Sequence, residues 1–164
     1  MRKILFMTLL LLWGCASEGA SRRGQDYTAL IVQAKQHAST SARAILTVSD
    51  AMVKRGEIVR GGCWDYLDRA FRQAGYPPKQ RAVVFRGTKQ GVYAPLEMLQ
   101  AGDWLYHVNH SYGGIEHSGM FIAWVDREQG LALMLSYAGE RRAEPARYKV
   151  YDLSSVYRVI RATP

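Results

Sequence analysis

Apolar residues recur at helical spacing only in the first half of this chain and in strand-like runs only in the second, and that one-way order points to the α+β class. Tyr27, Leu30, Ile31 and Ala34, then Ala42, Ile45, Leu46, Met52 and Val53 beyond Ser39-Thr40-Ser41, mark one long or two consecutive helices. They open at an Asp26 N-cap and end near Gly56. A further helix over 63–74 stops at Gly75 and Pro77-Pro78. Residues 81–85 read as a short strand and 95–100 as a helical turn. Strands follow at 103–108, 117–125, 131–137, 149–153 and 156–161. The expected architecture is a set of N-terminal helices packed on one antiparallel sheet of about five strands, largely a meander.

The first 25 residues stand apart from this pattern. Arg2 and Lys3 precede an apolar run over 4–13, too short for the roughly 20 residues that span a bilayer, and small residues follow it. This is the layout of a secretory signal. Leu12-Trp13-Gly14-Cys15 resembles a bacterial lipoprotein processing site, with Trp13 departing from the usual small residue. The expected organisation is a signal peptide over 1–14, a lipidated Cys15 with a Ser/Gly/Ala/Arg-rich tether over 15–25, and a single domain over 26–164. The resemblance implies a bacterial cell-envelope protein, anchored to a membrane by its N-terminal lipid and facing the periplasm or the exterior. Loss of Arg2 and Lys3 with the signal leaves 20 basic against 14 acidic residues, a net charge of +6. That balance suits an anionic membrane surface or an acidic wall polymer. No Lys/Arg block with interleaved aromatics argues for nucleic acid.

Of the two cysteines, Cys63 carries the chemistry. It follows Gly61-Gly62 and opens a helix, where the macrodipole and unpaired N–H groups favour thiolate over thiol. A free cysteine is otherwise a small buried hydrophobe. His117, at the start of a strand, supplies the imidazole that a cysteine hydrolase needs beside its nucleophile.

Four features in order resemble the NlpC-type cell-wall peptidases, a papain-like cysteine hydrolase family related to the CHAP amidases. They are the Cys63-led helix ending in Ala74-Gly75-Tyr76, the step Ala101-Gly102-Asp103-Trp104-Leu105, the strand opening His117-Ser118-Gly119-Met120, and a polar residue closing the next apolar strand. The resemblance covers about 61–135. It implies a papain-like fold, hydrolysis of peptidoglycan peptide or amide bonds, Cys63 as nucleophile and His117 as general base. The family's third residue, which fixes the imidazole, falls on Ser136, with Tyr137 on the opposite face. The Asp and Ser that usually flank the nucleophile are Gly62 and Trp64 here, so the feature that holds the substrate amine is absent unless Asp65 replaces it. The oxyanion is expected to meet the Cys63 N–H and a neighbouring donor.

Other polar residues are assigned more modestly. His107, Asn109, His110 and Glu116 crowd one connection, but the His107 and His110 spacing sends them to opposite faces, and no metal or cofactor is expected. His110 and Tyr112 in the Gly113-Gly114 loop read as a rim of the active-site cleft or as a simple hairpin loop. Trp64 is the best-placed aromatic for a sugar, and the charged loop over 140–145 reads as a solvated turn, with contact of Arg141 or Arg142 to a substrate carboxylate as the alternative. Two other functions stay open on sequence: a catalytically degenerate binding or scaffold lipoprotein on the same fold, and a thiol amidase or acyltransferase acting on a non-wall substrate.

Overall fold

The computed structural model describes residues 26–163, so the expected signal, tether and Cys15 lie outside the described residues. Three α-helices come first: α1 (Thr28–His37), α2 (Thr40–Lys54) and α3 (Cys63–Gln73). Six strands follow: β1 (Arg81–Arg86), β2 (Trp104–Asn109), β3 (Ile115–Asp126), β4 (Leu131–Ser136), β5 (Arg147–Asp152) and β6 (Val156–Ala162). All pair antiparallel in one sheet of order β1-β6-β2-β3-β4-β5.

The helical register breaks at Ser39, whose hydroxyl accepts the Ala42 N–H at 3.2 Å and caps α2. Arg43 reaches back to the carbonyls of Lys35, Gln36 and Ala38, which α1 leaves unpaired at its end. One apolar pattern therefore becomes two helices. The 81–85 run counts as a full strand on the sheet edge, which raises the total to six.

Only β2 to β5 form a meander, since β6 returns to lie between β1 and β2. In a flat sheet the ends of β5 and β6 would sit four strand spacings apart, about 19 Å. The connection Leu153-Ser154-Ser155 spans at most about 14 Å. The sheet must therefore coil strongly and bring its β5 end back toward β2. Its two faces carry separate cores. The helices cover one, where Tyr66, Leu67, Ala70 and Phe71 of α3 meet Trp104, Met120, Ile122, Leu133 and Leu135. Burying each large side chain there contributes about 1.5–3 kcal/mol. The other core gathers Leu105, Phe121, Ala132, Met134, Leu153, Val156 and Val159 inside the coil.

Asp103 ties the entry of β2 to β6. Its carboxylate is 1 % exposed and accepts two bonds of 2.7 Å from Arg161, plus the Gln100 N–H at 2.8 Å. No helix of the described residues is long and apolar enough to cross a membrane.

Candidate active site

Cys63 is the first residue of α3, and the turn before it is built to present it. Gly61 has φ 103°, in the left-handed region that favours glycine. A Cβ there would also run into the Asp65 carboxylate. That carboxylate turns back on its own helix and accepts the Gly62 N–H at 2.7 Å, as the acidic residue of a capping box does. Asp65 thus fixes the helix start.

The partners of Cys63 come from β3. The β3–β4 ladder begins at Gly119↔Ser136, so Ser118 has no β4 neighbour, and the start of α3 approaches this open edge. Burial raises the Cys63 pKa, but the polar groups of His117 and Ser118 close to the sulfur, together with the charge of His117, outweigh it and lower the pKa to about 7. The Ser118 hydroxyl is buried and has no hydrogen-bond partner of ordinary geometry among the described residues.

Behind the imidazole lies a polar relay. His117 Nε2 is 2.8 Å from Ser136 Oγ, and Ser136 Oγ is 2.8 Å from the Tyr151 hydroxyl. With Nε2 engaged, Nδ1 is the nitrogen left for the thiol. Ser136 is thus brought to His117 in the register expected from sequence. Tyr137 points the other way, exchanges hydrogen bonds with Val59 and stacks on Tyr66 at 4.8 Å between ring centres.

His107 is directly opposite His117 in the β2–β3 register and packs edge-on to it, with ring centres 5.6 Å apart. It is fully buried, and neither ring nitrogen has a hydrogen-bond partner among the described residues. Burial, reinforced by the neighbouring His117 charge, lowers its pKa to about 3, so it is neutral at physiological pH. Sequence reasoning missed both Tyr151 and this role of His107, because each depends on cross-strand register.

The cleft over this group has a volume of about 410 Å³. Gly62, Cys63, His117 and Ser136 line it, with Asn109, Tyr112, Arg142, Arg147, Lys149 and Tyr151 around them. Tyr112 lines the cleft, and Arg142 of the charged loop faces it and donates to the Tyr112 hydroxyl at 3.2 Å. His110 instead bonds Ser155, and Trp64 leans on Trp104, with ring centres 5.7 Å apart, while remaining 48 % exposed. A second depression, of about 470 Å³, lies between α1 and the loop before β2, but its Ser39 caps α2 and its His37 meets the Gln33 carbonyl. It lacks a nucleophile paired with a base. A scan against protein-family models finds no match to this chain, and comparisons with curated proteins and with solved structures find none either.

Proposed function

We propose that the chain is an exported, lipid-anchored cysteine hydrolase with a papain-like, NlpC-type fold, cleaving peptide or amide bonds of peptidoglycan. The observation that carries this reading is the line of Cys63, His117 and Ser136, in which a thiol at a helix start has a pKa of about 7 and its imidazole partner is held by a hydroxyl at 2.8 Å. A buried structural cysteine has no need of such partners.

In the proposed reaction His117 Nδ1 takes the thiol proton, and Nε2–H donates to Ser136. The Cys63 thiolate attacks the scissile carbonyl, and the unpaired N–H groups in the first turn of α3 are the available donors to the oxyanion. The C–N bond then breaks, the imidazolium proton goes to the leaving amine, and a thioester remains on Cys63. Water, deprotonated by His117, attacks the thioester and releases the acid, which restores the thiol. Neutral His107 leaves His117 as the imidazole that carries the proton.

Incubation of the purified chain with defined wall peptides, followed by mass analysis, tests the reading. Cleaved products from the wild type and none from Cys63→Ala are expected. Intact substrates with both proteins would favour the binding-protein alternative.

A further inference from the structure

The cleft has a basic wall. Arg142 comes from the 3-10 turn Glu140–Arg142, and Arg147 and Lys149 come from β5. Ser136↔Arg147 and Met134↔Lys149 are register partners, so both basic side chains leave β5 on the face that carries Ser136. No Asp or Glu is among the residues that line the cleft. Arg147 does meet Glu144 at 2.8 Å, but both side chains are about half exposed and solvent screens the pair. Arg142 and Lys149 have only neutral partners among the described residues: the Tyr112 hydroxyl for Arg142 and the face of the Tyr151 ring, 5.4 Å away, for Lys149. Three cations thus converge on one pocket with a single screened counter-charge between them. An anionic group on the ligand would supply the missing charge.

The neighbouring chemistry narrows which anion. A thiol and an imidazole act on an acyl carbon, so the ligand contains an amide or ester, and its anionic group must lie within a few bonds of it. A carboxylate on a peptide meets both conditions, and two arginine forks can hold it through paired N–H bonds. We infer that Arg142, Arg147 and Lys149 form a carboxylate subsite that selects acidic peptides and anchors a free carboxylate of the substrate beside the scissile bond. The inference deepens the hydrolase reading and rests on it for which bond is cut; the binding itself needs no turnover. Tyr151 links the two functions, because its ring carries Lys149 and its hydroxyl meets Ser136.

Binding to the Cys63→Ala chain tests the subsite without chemistry. The probes are a fluorescently labelled wall peptide with free carboxylates and the same peptide with those carboxylates converted to amides. The acid form should bind at least tenfold more tightly at low salt, and the preference should shrink to within about twofold in the Arg142→Gln/Lys149→Gln double variant. Both positions are exposed, and circular dichroism checks that the variant is folded. Equal affinity for the two peptides, no binding of either, or an unchanged preference in the double variant would overturn the subsite. The hydrolase reading is judged separately, by whether the wild type cleaves either peptide. Selective binding without cleavage keeps the subsite and removes the hydrolase, whereas cleavage with equal affinity does the reverse.

Discussion

His117 reaches Ser136 on a diagonal: Gly119, two residues further along β3, is the register partner of Ser136, yet the imidazole Nε2 stands 2.8 Å from the serine hydroxyl. Diagonal neighbours on an antiparallel pair are within reach of a ring side chain. Gly119 keeps the two strands packed closely, since a Cβ there would strike the Met134 side chain and come within 3.0 Å of the Leu135 carbonyl oxygen.

Loss of the Ser136 hydroxyl removes the bond that sets the tautomer and tilt of His117. Ser136→Ala is expected to lower kcat about tenfold, equivalent to about 1.4 kcal/mol of transition-state stabilisation, with KM little changed. Tyr151→Phe, one bond further from the ring, should cost less, about threefold. Steady-state kinetics on the two variants checks the order.

Asp65 separates a structural from a substrate-binding role. Since its carboxylate caps its own helix through the Gly62 N–H, Asp65→Ala should lower stability by about 1 kcal/mol. Affinity of the Cys63→Ala chain for a wall peptide should stay the same on adding this change. Urea denaturation and peptide binding read the two effects.

Much of this was legible in the sequence for a physical reason: helix periodicity, the Cys63 helix start and the apolar run ending at Ser136 are local signals. Placing Ser136 beside His117 comes from the family resemblance, which puts its third residue at the end of that strand; alternation supplies only the opposite face of Tyr137. The sixth strand as a full sheet member, the return of β6 and the coil of the sheet are long-range pairings that no local spacing encodes. Arg147, Lys149 and Tyr151 do alternate with a period of two, yet the face they occupy follows from the β4–β5 register. The role of Asp65 stays open on sequence because a carboxylate in a first helical turn serves a cap or a ligand with the same sequence appearance.

His107 gives stability a pH dependence of known sign. Its folded pKa, lowered to about 3, lies below its unfolded value of 6.5, so the unfolded chain binds the proton first. Stability is fully present above pH 6.5 and falls as pH drops toward 3, with a slope of up to about 1.4 kcal/mol per pH unit from this residue. His107→Leu should flatten that stretch of the curve. Denaturation midpoints at pH 4, 5, 6 and 7 for both proteins make the comparison.

The Asp103 to Arg161 pair is the polar joint between the entry of β2 and β6. Asp103→Ala would leave the Arg161 guanidinium, 28 % exposed, without its carboxylate. The expected cost is about 3 kcal/mol, toward the lower end for breaking a buried pair because Arg161 keeps some contact with water. Chemical denaturation of the variant measures it directly.

The reactivity of one thiol tests the central claim most directly. The rate of iodoacetamide alkylation of Cys63, followed by mass on the peptide that contains it, should rise with pH through a midpoint near 7 in the wild type. His117→Ala should shift that midpoint upward toward the ordinary thiol value of about 8.5, slowing reaction at pH 7 roughly tenfold. A wild-type midpoint near 8.5, unmoved by His117→Ala, would contradict the account.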